Sequence, residues 1–302
     1  MPKRFQLVKR PWLTLLIYIL AEVIALFFFA AVVVGLFKQP QDAPLTGFIT
    51  TTLAHITVLF LLFPFVLKLP EGSSSFRAYL DVIRLSRVRP FFRLLLLALS
   101  CYLILALCQM AGVLVFRASQ NLPITLEFIR RAFNLAPDLP PESLSWLVSI
   151  PSIFEEIAFR GVLLSAFLSR YPKPQAILYS AVGFGMIHLL NLASGKELTW
   201  VLGQVVWATI LGLFYSILVL RSNNLWPAML FHYLGNLFVG SLTAYLQTTA
   251  PTGTQVVYGI LFSFGLIPTT LMILWVFLFE KLWPLAAQWL KEPGRNWSIR
   301  II

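Results

Sequence analysis

Eight long apolar runs constrain this chain more than any other feature. They span about 12–37, 47–67, 91–116, 145–168, 175–193, 198–220, 225–246 and 256–283. A helix crossing a bilayer core ~30 Å thick needs roughly 20 such residues. Lipid offers the backbone no water, so each run must satisfy its own N–H and C=O groups, as an α-helix does. The sequence therefore predicts an all-α, polytopic integral membrane protein with about eight transmembrane helices in a single membrane domain, 1–302. Composition excludes a soluble fold: 59% of residues are hydrophobic and 12% charged, whereas soluble domains carry about 25% charged residues. The first run, Trp12 to Phe37, is too long for a signal-peptide core and lacks a small-residue cleavage site, so it reads as a retained span.

The net charge of +11 belongs to the flanks of these runs. With the N-terminus placed in the cytoplasm, 17 of the 23 Lys and Arg residues fall on that side and five on the other, while Arg160 lies inside a run. That bias predicts both termini cytoplasmic, in a bacterial-type plasma membrane, with membrane lipids as partners. There is no basic domain or base-stacking motif, so no nucleic-acid partner is expected. Connector 69–90 reads as a cytoplasmic interfacial helix, because Phe76, Leu80, Ile83 and Val88 recur at roughly helical spacing between arginines. Connector 117–144 reads as a short outer helix followed by a Pro-rich stretch. Cys101 and Cys108 are two helical turns apart. That is roughly 10 Å, beyond disulfide reach, so free thiols are expected.

Ionisable side chains at mid-bilayer cost about 2.5–3.5 kcal/mol each on insertion scales, so a group of them needs partners or a watery cavity. Run four holds Glu155, Glu156 and Arg160; run five holds His188; run seven holds His232 and Asn236. Glu156 and Arg160 are four apart and share a helix face, where they can neutralise each other. Glu155 points about 100° away from that pair. His232 and Asn236 also share a face. Glu155, His188 and His232 lie near the middles of their runs, so they can meet inside the membrane. His55 in run two and Glu22 in run one read as structural, the usual role of a lone polar residue in a span.

The segments EEIAFR, FGMIH and HYLGN resemble the E-E-x-x-x-R, F-x-x-x-H and H-x-x-x-N motifs of the CAAX-protease and bacteriocin-processing (CPBP, or Abi) family, in that family's order. The likeness covers Phe154–Asn236 and marks 145–246 as a catalytic core. It implies an intramembrane endopeptidase of the type II CAAX prenyl endopeptidase kind. By that resemblance Glu155 and His188 activate a water, His232 and Asn236 stabilise the oxyanion, and Glu156 and Arg160 support the helix. The substrate it implies is a membrane protein or a prenylated or lipid-anchored peptide.

Burial suits a carboxyl to general-base work, and Asn and His can donate to an oxyanion. Glu155, His188 and His232 could equally be zinc ligands. There is no H-E-x-x-H, so a metal-free mechanism and a zinc-dependent one both stay open. Two other functions fit the same residues: a non-catalytic immunity or scaffold protein, and an ion- or proton-coupled transporter.

Overall fold

The computed structural model describes residues 10–38, 44–68, 75–127, 149–193, 195–249, 252–263 and 265–291. Most of the outer connector, 128–148, lies outside them, as do both ends of the chain and residues 69–74. No strand occurs among the described residues. Among the described residues ten helices follow in order: α1 (Pro11–Phe37); α2 (Pro44–Ile56, continuing with π winding over Thr57–Leu67); α3 (Phe76–Val82); α4 (Phe91–Ser119); and α5 (Pro151–Glu156, a π segment Ile157–Leu163, then Leu164–Leu168). After these come α6 (Lys173–Ile187, tightening to 3-10 over His188–Leu192), α7 (Leu198–Ser222), α8 (Trp226–Thr249), α9 (Thr252–Tyr258 with a π segment Gly259–Ser263) and α10 (Leu266–Lys291).

Among the described residues six helical stretches are long and apolar enough to cross a membrane: Pro11–Phe37, Leu45–Leu67, Phe91–Ser119, Lys173–Ala193, Leu198–Ser222 and Thr252–Pro284. The chain is an integral membrane protein. The other two predicted runs are also helical, as α5 and α8. They carry the polar residues Glu155, Glu156 and Arg160, and His232 and Asn236, which make them less apolar. One hydrophobic cluster unites the bundle, with Tyr18 of α1, Leu59 of α2, Leu97 of α4, Phe159 of α5, Phe184 of α6, Tyr215 of α7, Phe231 of α8 and Met272 of α10. Outward-facing apolar side chains such as Phe27, Phe28, Leu36, Leu103 and Leu107 are exposed, as lipid-facing residues must be. Cys101 and Cys108 are free thiols.

Polar contacts collect several helix ends at one basic end of the bundle. Trp12 at the start of α1 packs on Phe167 at the end of α5 and on Tyr179 of α6, with ring centroids 5.0 and 5.1 Å away. The loop after α3 is tied to α5 where Arg84 donates to Ser165 Oγ at 3.2 Å. It is tied to the α7–α8 turn as well: the Leu225 amide donates to Arg84 O, Trp226 Nε1 donates to Leu85 O at 3.0 Å, and Asn224 Nδ2 donates to Arg87 O. Arg93 at the start of α4 forms an ion pair with Glu280 of α10.

The described part of the predicted interfacial helix is α3, which starts at Ser75, whose side chain accepts from the Ala78 amide at 3.2 Å. A hydrogen bond and the stacking of Phe76 on Phe65, with ring centroids 5.6 Å apart, fasten this helix to α2. Pro64 has no N–H, so in π winding the carbonyl five residues back, Leu59 O, loses its partner. Tyr79 fills that vacancy, its hydroxyl donating to Leu59 O at 2.6 Å with both residues fully buried. Burial pushes the Tyr79 phenol up from its ordinary value, which keeps it protonated and able to donate. Tyr79→Phe orphans a buried carbonyl and is expected to cost about 1–3 kcal/mol, read as a lower unfolding midpoint in detergent micelles.

Candidate active site

The site forms where α5, α6, α7 and α8 meet. Glu156 is its anchor. Its side chain is fully buried, and one oxygen, Oε1, accepts from Arg160 Nη1 at 3.1 Å and contacts His232 Nδ1 at 2.9 Å. The sequence predicted the first contact; the second adds α8 to the pair. Arg160 Nε and Nη2 have no hydrogen-bond partner among the described residues. The guanidinium instead lies over the Phe184 and Tyr215 rings, 4.1 and 4.8 Å from their centroids, where aromatic faces stabilise a desolvated cation. Gly212 leaves the space for it: a Cβ there would stand 3.1 Å from Arg160 Nη2 and 3.0 Å from Ala181 Cα.

Glu155 faces elsewhere, as the helical phase required. Its side chain keeps 32% exposure against 0% for Glu156, and its Oε2 lies 3.9 Å from His232 Nε2. The two adjacent carboxylates therefore flank one imidazole, each nearer a different nitrogen. The π segment starts directly after them, and such widened turns recur at functional sites. Ser180 Oγ donates to the Phe159 carbonyl within that segment at 2.8 Å.

His188 stands where α6 tightens into a 3-10 turn. Its Nδ1 bonds the Phe184 carbonyl at 2.8 Å, and the Phe184 ring meets the imidazole edge-on at 5.1 Å. A carbonyl only accepts, so Nδ1 carries the hydrogen and Nε2 is left with a lone pair in the neutral ring. His232 has the same pattern: a proton on Nδ1 serves Glu156, and Tyr215 stacks on the ring at 5.0 Å. His188, His232 and Asn236 line one small cavity of about 90 Å³ with Phe184, Gln204, Trp207, Ala208 and Leu211. Close approach of α6 to α7 shapes this cavity, because a Cβ on Gly185 would lie 2.0 Å from Thr209 Oγ1 and 2.6 Å from Val205 O.

Gln204 is the lining residue that sequence reasoning missed. Asn191 Nδ2 donates to Gln204 Oε1 at 2.7 Å, which leaves the Gln204 amide hydrogens as further donors. A polar side chain in the apolar stretch TWVLGQVVW was the one available signal. His55 and Glu22 sit apart from the cavity and face each other across α1 and α2, 3.0 Å apart. Among the described residues no three His, Cys, Asp or Glu side chains gather closely enough to hold a metal ion.

Residues 141–238 match the family model described as Type II CAAX prenyl endopeptidase Rce1-like. This segment is similar to that family. The match agrees with the resemblance carried by the three motifs. The Rce1-like segment covers 98 of the 302 residues and contains Glu155, Glu156, Arg160, His188, His232 and Asn236, while Glu22 and His55 lie outside it. No curated protein and no solved structure matches the chain.

The Rce1-like segment depends on Arg160 for its neutrality. Arg160→Leu leaves a fully buried carboxylate without its cation, and breaking a buried pair on one side costs about 3–5 kcal/mol. The variant is expected to unfold at a much lower temperature than wild type in micelles, by circular dichroism, whether or not it is active.

Proposed function

We propose that this chain is an intramembrane endopeptidase that hydrolyses a peptide bond of a membrane-associated or lipid-anchored protein. One observation carries this reading: inside an apolar bundle, the Rce1-like segment sets two imidazoles and an amide around one cavity, with a half-exposed carboxylate against one imidazole. Glu155, His188, His232 and Asn236 are the catalytic residues, within a core over 145–246 of the single domain 1–302. Glu156 and Arg160 hold them in place.

The steps follow from which atoms can give and take protons. Glu155 takes a proton from a water that His188 Nε2 orients, and the water oxygen attacks the scissile carbonyl carbon. The carbonyl oxygen becomes an oxyanion that accepts from the Asn236 amide. His232 Nε2 can donate there only when the ring carries both protons, and Glu156 at Nδ1 supplies the counter-charge for that state. The C–N bond then breaks, and the proton held by Glu155 passes to the leaving nitrogen. The reaction is metal-free in this reading.

An apolar cavity of about 410 Å³ between α4, α5 and α8 supports a substrate with a hydrocarbon anchor. It lies toward the basic end, with Val88, Phe91 and Trp226 in its lining, and includes Ile153 and Tyr233, close in sequence to Glu155 and His232. A prenylated or otherwise lipidated peptide is the substrate class. The gathered basic end supports a cytoplasmic placement of that end; the reading keeps eight crossings with both termini cytoplasmic, in a bacterial-type plasma membrane.

Two experiments test this function on purified protein in liposomes with a membrane-anchored reporter peptide. Glu155→Ala is expected to abolish cleavage, a loss of at least ~10³-fold, while the unfolding temperature stays near that of wild type. Full cleavage by that variant sinks the mechanism. Cleavage is also expected to survive prolonged chelation; loss with chelator and recovery with added zinc would return the metal-dependent reading.

A further inference from the structure

Gln204 lines the candidate site but belongs to none of the three motifs. The cavity it shares with His188, His232 and Asn236 measures about 90 Å³. That is room for about three waters at ~30 Å³ each, so the lining faces one small reacting volume. An oxyanion formed there needs hydrogen-bond donors. The two imidazoles cannot supply them while neutral. His188 gives its one hydrogen to the Phe184 carbonyl and His232 gives its own to Glu156, so each is left with a lone pair at Nε2. Among the described residues of the lining, the other side chains that carry an N–H are Asn236, Gln204 and Trp207.

Gln204 is already oriented to donate. It lies on α7, and its Oε1 accepts from Asn191 Nδ2 at 2.7 Å. Asn191 belongs to the 3-10 turn His188–Leu192 that ends α6 and packs on α7. The contact occupies the carbonyl side of the Gln204 amide and leaves the side with two hydrogens turned away from Asn191. A 3-10 helix repeats every three residues, so Asn191 stands on the same edge as His188. One turn therefore carries both an imidazole of the cavity and the amide that orients Gln204.

We propose that Gln204 is a further donor to the oxyanion, held in its donating orientation by Asn191. The proposal rests on the peptidase reading. As water adds to the scissile carbonyl, the carbonyl oxygen takes the negative charge. It then accepts one hydrogen from the Asn236 amide and one from Gln204 Nε2. Both amides donate whatever the protonation state of His232, so the charge is met before that ring gains a second proton. Gln204 is a catalytic residue in this scheme, and Asn191 is a positioning residue that acts through it.

The test uses the full chain in liposomes with the membrane-anchored reporter peptide, and a phosphinate peptide whose tetrahedral, charged phosphorus group mimics the intermediate. Gln204→Leu keeps the size of the side chain and removes its N–H. It is expected to lose about 10²–10³-fold in kcat with KM within about 2-fold. Its affinity for the phosphinate should fall by the same factor as kcat/KM. Gln204→Glu keeps the bond from Asn191 and removes only the donor, so it should lose at least as much, and it decides the matter should Gln204→Leu fail to fold. Asn191→Asp offers only an acceptor. It draws Gln204 Nε2 to itself and turns Oε1 toward the cavity, so kcat should fall at least ~10-fold. In Gln204→Leu/Asn191→Asp that second loss should vanish, because Asn191 acts only through Gln204. Losses that multiply in the double variant overturn the role of Asn191. A cleaving wild type matched by both Gln204 variants overturns the donor alone, and a fall in Trp207→Phe instead would move it to the indole. A wild type that cleaves nothing refutes the peptidase reading and the donor with it.

Discussion

A charge inside a bilayer has no water to turn to, so the protein must supply everything that stabilises it. In this bundle that demand converges on one oxygen. Glu156 Oε1 receives Arg160 from its own helix and His232 from α8. The unused edge of Arg160 lies against Phe184 of α6 and Tyr215 of α7. One carboxylate and its cation thereby fix the relative positions of four helices. Ordinary apolar packing in lipid could not be so specific, because hydrocarbon tails compete with leucine for every apolar surface.

The same oxygen also sets how the His232 ring is presented. Because Glu156 takes the Nδ1 hydrogen of His232, the neutral ring must present a lone pair at Nε2. His188 reaches the same state through a different partner, the Phe184 carbonyl. Two imidazoles with oriented Nε2 atoms can position a water, or serve an anion once a proton arrives. The double carboxylate is thus divided by helical phase: the fully buried member holds the ring, and the partly exposed member faces it from the Nε2 side.

What could be read from the sequence follows from what periodicity reports. Pairs four apart on one helix, such as Glu156 with Arg160 and His232 with Asn236, are set by the 100° step and are visible without a fold. Contacts between helices are not. Nothing local links His232 to Glu156, Asn191 to Gln204, or Tyr79 to the carbonyl that Pro64 leaves open. The apolar runs were legible as helices, yet α5 and α8 stand apart from the six apolar spans because they carry the cluster that the others enclose. Glu22 and His55 were each visible as lone polar residues. Their pairing needed the packing of α1 on α2, which lipid-facing sequences encode only weakly.

Pairing explains how ionisable groups are tolerated within this apolar bundle. Arg160 answers Glu156, and His55 stands 3.0 Å from Glu22. At the basic end, Arg93 and Glu280 form a third couple between α4 and α10. Glu155 differs from all of these. Its nearest basic partner is an imidazole at 3.9 Å, too far for a hydrogen bond and near enough to feel its charge. Of these four carboxylates Glu155 is the most exposed, at 32%. The surrounding pairs stabilise the fold so that this one group need not.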